Sequence, residues 1–146
     1  MEKDVDMEKD GINLRELSKE ELLRISPLTL AYLGDTIYET YIREYLIKKS
    51  IYTKINELHR SAIMYVSAAA QSKAIKSMEG ILSEEETTIY KRGRNHKKST
   101  GAKNASIIDY RHATGFESLI GYLYLKGDTD RLEFIVLMAI QAIENR

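Results

Sequence analysis

Apolar residues along this chain recur at helical spacing, and capping residues punctuate them. After Ser26 and Pro27, the residues Leu30, Leu33, Ile37, Tyr41 and Ile42 follow the i, i+3/i+4, i+7 rhythm of an amphipathic helix. That helix is predicted to run from Pro27 to about Lys48. Ser26 is its N-cap, and Pro27 sits in the first turn, where a missing N–H does no harm. Upstream, Ser18-Lys19-Glu20-Glu21 has the form of a capping box opening a short helix to about Arg24. Downstream, Thr53 is the predicted cap of one long helix from Lys54 to about Met78. Leu58, Ala62, Tyr65, Val66 and Ala69 recur on one side of it, and Gly80 is its expected left-handed stop. Ser83-Glu84-Glu85-Glu86 is a second capping box, for a helix ending near Arg92-Gly93. Two more helices follow, from about Ser106 to Lys126 (closed by Gly127) and from about Thr129 to Glu144.

One proline, repeated caps and no alternating strand pattern predict an all-α domain. The first dozen residues lack periodicity and are expected to fray. Residues 1–17 read as a flexible acidic N-terminus and residues 18–146 as a single domain.

Two of these helices carry an acid where an acid is out of character. Asp35 follows Gly34 inside Leu30-Ala31-Tyr32-Leu33-Gly34-Asp35-Thr36-Ile37-Tyr38-Glu39. Glu117 is the one charge in Ala113-Thr114-Gly115-Phe116-Glu117-Ser118-Leu119-Ile120-Gly121-Tyr122. A carboxylate on the inward side of an apolar helix costs several kcal/mol to desolvate unless a cation or donor meets it. A lone helical acid is most often a solvated surface group. Here the neighbouring glycines weigh against that reading. Gly34 and Gly115 each cost about 1 kcal/mol relative to alanine in mid-helix, which is tolerated where a backbone must approach something closely. Two such acids that converge suit magnesium, a hard cation taking one or two carboxylates, waters and phosphate oxygens. Glu39 lies one turn beyond Asp35 on the same side, and the residues leave it open as a third ligand or an exposed acid.

Composition narrows the class. Hydrophobic content of 43% and charged content of 30% are those of an ordinary soluble domain. The absence of cysteine excludes disulfides and thiolate metal sites. No apolar run is long enough to span a membrane, and the polar, acidic N-terminus is the opposite of a secretory signal, so a cytoplasmic protein is expected. His59, His96 and His112 show no metal-ligand spacing, and no Glu-x-x-His motif is present, which argues against a di-iron bundle. The net charge of zero hides a segregation. Residues 91–104 hold Lys91, Arg92, Arg94, Lys97, Lys98 and Lys103 without one acid, interleaved with Gly93, Asn95, Ser99, Thr100, Gly101 and Asn104. Read as a loop, this stretch offers cations and short donors for phosphates and 2′-hydroxyls.

The ordered pair LAYLGDTIYE and ATGFESLIGYLYL, separated by an Arg-Gly-Arg-Asn segment, resembles the ribonuclease III catalytic domain, and more narrowly the Mini-III ribonucleases, from about Leu22 to Glu144. The resemblance implies an all-α homodimeric endonuclease that cuts double-stranded RNA with magnesium, for which manganese is a substitute. Each protomer contributes one active site to a groove along the dimer. Asp35 matches the aspartate of the family's Leu-Gly-Asp motif and Glu117 its essential glutamate. Tyr32 matches the aromatic that plugs into the partner subunit, and a core tyrosine is the plainer reading of it. Lys91, Arg92, Arg94, Asn95, Lys97, Lys98 and Lys103 are the implied RNA contacts.

Two departures matter. Ala31 stands where typical members have an acid four residues before the motif aspartate, and Thr114 where they have an aspartate three residues before the glutamate. The Mini-III group shares this thinner site, which counts against a second tightly held metal. No double-stranded-RNA-binding domain is expected to follow, so the catalytic domain is expected to grip the substrate. The subfamily resemblance suggests the large-subunit ribosomal RNA precursor. The alternative function is a catalytically silent, dimeric RNA-binding module of the same fold, and retention of Asp35 and Glu117 speaks against it.

Overall fold

The computed structural model describes residues 6–96 and 106–146. Seven helices form among them: α1 Lys19–Arg24, α2 Pro27–Lys49, α3 Ile55–Val66, α4 Ala68–Ser77, α5 Glu84–Arg94, α6 Ile107–Lys126 and α7 Thr129–Ile143. A two-stranded antiparallel hairpin, β1 Glu8–Lys9 and β2 Ile12–Asn13, precedes them and turns at Gly11, whose φ is +81°. The fold is all-α, as the capping pattern predicts. The hairpin is the one addition, too short and too exposed to announce itself by alternation.

Local capping chemistry sets most of the helix starts. Ser18 and Glu21 close a capping box on α1, and Ser83 and Glu86 close one on α5. The side chains of Ser26, Ser106 and Asp128 accept from the first turns of α2, α6 and α7. Gly127, at φ +79°, ends α6 in the left-handed conformation.

The segment predicted as one helix from Lys54 to Met78 is two. Ser67 adopts an extended conformation, ending α3 and capping α4, and its Oγ accepts from the Ala70 N–H at 3.2 Å. A serine competing for backbone donors favours such a cap over helix interior. The break frees two carbonyls, and both are met: Tyr65 by the Tyr38 hydroxyl at 3.1 Å, Val66 by the Gln71 amide at 3.0 Å. Thr53 is not the cap of α3. Lys54 holds that position without a side-chain bond, and Thr53 turns its N–H to Ser50. Nor is Gly80 a left-handed stop. α4 ends at Ser77, and only Gly11 and Gly127 have positive φ among the described glycines.

Helix α6 is the centre. From Ala113 to Leu123 every residue except Glu117 is buried, the signature of a helix packed on several sides. Against it lies α2, whose buried positions Leu30, Gly34, Tyr38, Ile42 and Leu46 form one i+4 ridge. The predicted face shared only Leu30 and Ile42 with this ridge; Leu33, Ile37 and Tyr41 are half-buried at its flank. The ridge wins because its glycine admits the opposing backbone. A Cβ on Gly34 would lie 1.8 Å from the Glu117 carbonyl oxygen, and one on Gly121 would lie 2.1 Å from that of Leu30. Below this crossing Tyr38 meets Phe116 edge to face, with ring centroids 4.9 Å apart. Beside it the Ser118 hydroxyl donates to Pro27 O at 2.9 Å. Along the predicted long helix only Tyr65 of the expected face is buried; Leu58, Ala62 and Val66 are half-buried and Ala69 is exposed.

Helix α5 is fastened at both ends. Near its start the buried Glu86 takes two bonds of 2.7 Å from Nε and Nη2 of Arg131 in α7, a bidentate pair, and Nη2 also donates to Ile81 O at 3.1 Å. Near its end Gly93 lies against Gly115 and Ser118 of α6.

The α2–α6 crossing generates a stability test. Gly34→Ala is expected to cost at least about 3 kcal/mol, the upper end of ordinary overpacking, because the clash is with a backbone carbonyl that cannot rotate away. Gly80→Ala, at an open position with ordinary φ, is expected to match or slightly exceed the unmutated protein. Urea unfolding of the two variants compares them directly. Equal stability would mean that α2 and α6 do not meet backbone to backbone.

Candidate active site

A cleft of about 300 Å³ opens where α2, the α3–α4 junction and α6 come together. Helix α2 lines it with Leu28, Ala31, Tyr32 and Asp35, the junction with Val66, Ala68 and Gln71, and α6 with Tyr110, Ala113, Thr114 and Glu117. Asp35 and Glu117, far apart in sequence, therefore share one cavity. The glycine crossing is the reason. Gly34 sits on the Glu117 carbonyl, so the residue after Gly34 and the side chain of Glu117 emerge together.

The two carboxylates are in electrostatic conflict. Asp35 is exposed at the mouth and Glu117 is half-buried behind it. Burial, and then the nearby Asp35 charge and a hydrogen bond shared with Asp35, push the Glu117 carboxyl up to about 8. The Gln71 amide opposes this, donating from Nε2 to Glu117 Oε2 at 3.1 Å. Such a pair is poised for a positive partner. Groups of three or more potential metal-ligating side chains do not occur among the described residues. Two hard oxygen donors in an open cleft fit a divalent cation that keeps waters or substrate oxygens in its other positions.

The remaining candidates divide. Ala31 and Thr114, where acids were expected by family pattern, both line the cleft, so the missing carboxylates leave space at the site itself. Tyr32 lies at its rim and is 81% exposed, a surface aromatic and not a core one. Glu39 does not line the cleft; it pairs with Arg43 on its own helix and borders a separate hollow. His112 bonds Ser72 Oγ through Nδ1 at 3.0 Å, outside the cleft. The basic stretch is partly helix, because α5 extends to Arg94 with Asn95 as its C-cap. Lys91 and Arg92 are exposed, while Arg94 lies over the Tyr90 ring and donates to Asn95 Oδ1 at 3.1 Å. None of these four residues lines the carboxylate cleft; Lys91 and Arg94 border a different pocket with Glu79 and Thr87. Lys97, Lys98 and Lys103 lie outside the described residues.

Gln71 is the residue that sequence reading missed. It is 1% exposed, and it stood inside a run assigned to an uninterrupted helix. No local signal marks it, because both its burial and the helix break at Ser67 that it serves belong to the tertiary structure.

The Ribonuclease III domain family matches residues 28–128 of this chain, a span that includes both motif acids. The chain belongs to the ribonuclease III family. Within it, the resemblance is to the Mini-ribonuclease 3 group. The chain is 50% identical to Mini-ribonuclease 3 of Clostridium tetani, over 88% of this chain and 85% of the relative. With that of Brevibacillus brevis it is 49% identical, over 88% and 98%. A crystal structure of a Fusobacterium nucleatum protein superposes with a TM-score of 0.74 at 30% identity, covering 83% of this chain and 96% of that one. This ribonuclease III family member is an endoribonuclease, a hydrolase of phosphodiester bonds, from a family that acts on double-stranded RNA with divalent metal. No helix among the described residues is long and apolar enough to cross a membrane.

The raised Glu117 carboxyl has a consequence for folding. Its folded value of about 8 lies above the ordinary 4.5, so the folded state holds the proton over that interval and the unfolded state does not. This contribution to stability is complete below about 4.5 and is lost as pH rises towards 8. Glu117→Gln removes the penalty. In chelator, its stability is expected to gain on the unmutated protein with rising pH by up to about 1.4 kcal/mol per unit, levelling off above pH 8. Urea unfolding from pH 5 to 9 reads this difference, and parallel curves would contradict the conflict between the two acids.

Proposed function

We propose that this protein is a magnesium-dependent, homodimeric endoribonuclease of double-stranded RNA, with Asp35 and Glu117 as the metal-holding carboxylates. The observation that carries the reading is their convergence, from two helices in backbone contact, on one open cleft. Manganese is expected to substitute for magnesium. When bound, the cation would supply activation of an attacking water and stabilisation of charge on the scissile phosphate. Glu117, half-buried and bonded to Gln71, would supply one carboxylate to hold it. Asp35, exposed at the mouth, would supply the second carboxylate and part of the charge that offsets the cation. Ala31 and Thr114 leave room for that phosphate and its waters. Glu39, paired with Arg43, is not given a role.

Lys91, Arg92, Arg94 and Asn95 are the described part of the proposed RNA-contacting surface, and Lys97, Lys98 and Lys103 belong to the same stretch. That stretch leads from the basic end of α5 into α6, whose early residues Tyr110 and Thr114 line the cleft. A duplex is broad enough to touch both regions at once. Recognition follows A-form shape, because the major groove of RNA is too narrow to read. Likeness to the Mini-ribonuclease 3 group supports the large-subunit ribosomal RNA precursor as natural substrate. The cysteine-free composition is in keeping with a reducing compartment such as the cytoplasm.

The dimer reading rests on Tyr32. An aromatic ring 81% exposed on the rim of the cleft is suited to insertion into a second copy, and two-fold pairing is the commonest way to bury such a group. Sedimentation at micromolar concentration is expected to give twice the chain mass, and Tyr32→Ala a shift towards monomer. A persistent monomer mass in the unmutated protein would overturn the dimer.

Asp35→Asn and Glu117→Gln test the chemistry. Each keeps size while removing one anionic ligand, and cleavage of long double-stranded RNA in magnesium should fall at least about 100-fold, on the order of 3 kcal/mol in barrier. Binding of the same RNA in calcium should survive in both. An Arg92→Ala, Arg94→Ala double variant should show the reverse, weaker binding with intact chemistry once RNA saturates. Near-normal cutting by either carboxylate variant would rule out the proposed site.

A further inference from the structure

Gln71 makes three choices that a helix-surface amide does not make. It is buried, it spends both N–H donors on acceptors from different elements, and it leaves Oε1 buried without a hydrogen-bond partner among the described residues. One donor closes the Val66 carbonyl freed by the break at Ser67, at 3.0 Å. The other crosses into the cleft to Glu117 Oε2, at 3.1 Å. The orientation of the amide is set by the Val66 carbonyl, which can only accept, so that Nε2 and not Oε1 must face it. A residue serving only the helix junction needs the first bond. The second bond serves Glu117.

From this geometry we propose that Gln71 is a positioning residue, fixing one oxygen of the Glu117 carboxylate so that the other is presented to the divalent cation. This rests on the proposed role of Glu117. The need for it follows from the thin site. With Ala31 and Thr114 in the cleft, no further carboxylate from those positions can hold the cation if Glu117 turns away. A glutamate on a helix has three torsions to order before it can bind, and a fixed donor settles them in advance. The break between α3 and α4 thereby acquires a purpose. It generates the orphan carbonyl that orients the amide, and the amide in turn orients the ligand.

The test uses the full chain and manganese as probe, with bound Mn2+ read by electron paramagnetic resonance. Gln71→Met keeps the length and removes the donors. Gln71→Asn keeps the amide but withdraws it by one methylene, and serves where methionine impairs folding; circular dichroism establishes that each variant is folded. Either variant is expected to bind Mn2+ about tenfold more weakly or worse. Cleavage should recover as Mn2+ is raised, with KM for RNA unchanged at saturating metal. In a Glu117→Gln background, adding Gln71→Met should cause no further loss of Mn2+, since both act on one ligand. Undiminished Mn2+ affinity in a folded Gln71 variant would overturn the proposal while leaving Glu117 as a ligand. Undiminished affinity in Glu117→Gln would instead overturn the metal site itself, and the proposal with it.

Discussion

At the crossing of α2 and α6 there are no side chains to keep the helices apart. Gly34 faces the Glu117 carbonyl and Gly121 faces that of Leu30, each at a distance no Cβ could share. Most helix pairs are held 8–10 Å apart by their side chains, and a pair in backbone contact sets neighbouring residues closer than that. Asp35 follows one of these glycines and Glu117 contributes the carbonyl opposite it. The central packing contact of the fold and the meeting of the two acids are thus one event. Tyr38, Ile42 and Leu46 extend the same ridge into the core, so much of the apolar burial depends on the contact as well.

Packing brings together what electrostatics would separate. Glu117 is driven towards its neutral form by burial and by Asp35, a cost that a chain selected only for stability would avoid. Sites of this kind are where local preference and global structure disagree, and the disagreement marks function. The surrounding structure contains the conflict without dissolving it. Gln71 favours the charged carboxylate from one side, while the exposure of Asp35 keeps that acid in water. Rigidity elsewhere allows this, including the Arg131 fork on Glu86 and the edge-to-face contact of Tyr38 with Phe116.

The cations are arranged differently from the anions. Helix α5 meets α6 through Gly93 and Tyr90 against Gly115, and its last turn carries Lys91, Arg92 and Arg94 away from the carboxylate cleft. Had these cations entered the cleft, they would have neutralised Asp35 and Glu117 and displaced the need for a metal. Under the proposed function, this separation leaves the acids for a cation and the basic residues for a ligand large enough to reach both faces. A duplex nucleic acid has that size.

Much of this protein was determined within a few residues of chain. Ser18, Ser26, Ser83, Ser106 and Gly127 act on partners no more than four positions away, so the helix ends they control can be read from sequence. The isolation of Asp35 and Glu117 in apolar runs was equally visible, because desolvation cost attaches to the residue and its immediate surroundings. The tertiary structure decided what depends on distant partners. Helical periodicity gave Leu33, Ile37 and Tyr41 as strong a claim to the core as Tyr38 and Leu46, and the glycine contact with α6 settled it. Ser67 breaks a helix that propensity would continue, because Tyr38 and Gln71 are present to receive the freed carbonyls. Glu39 shares a helix face with Asp35 yet turns to Arg43. The hydrogen bond from Gln71 to Glu117 joins residues 46 positions apart; neither position carries a local mark of the other, and only packing α4 against α6 brings them within reach.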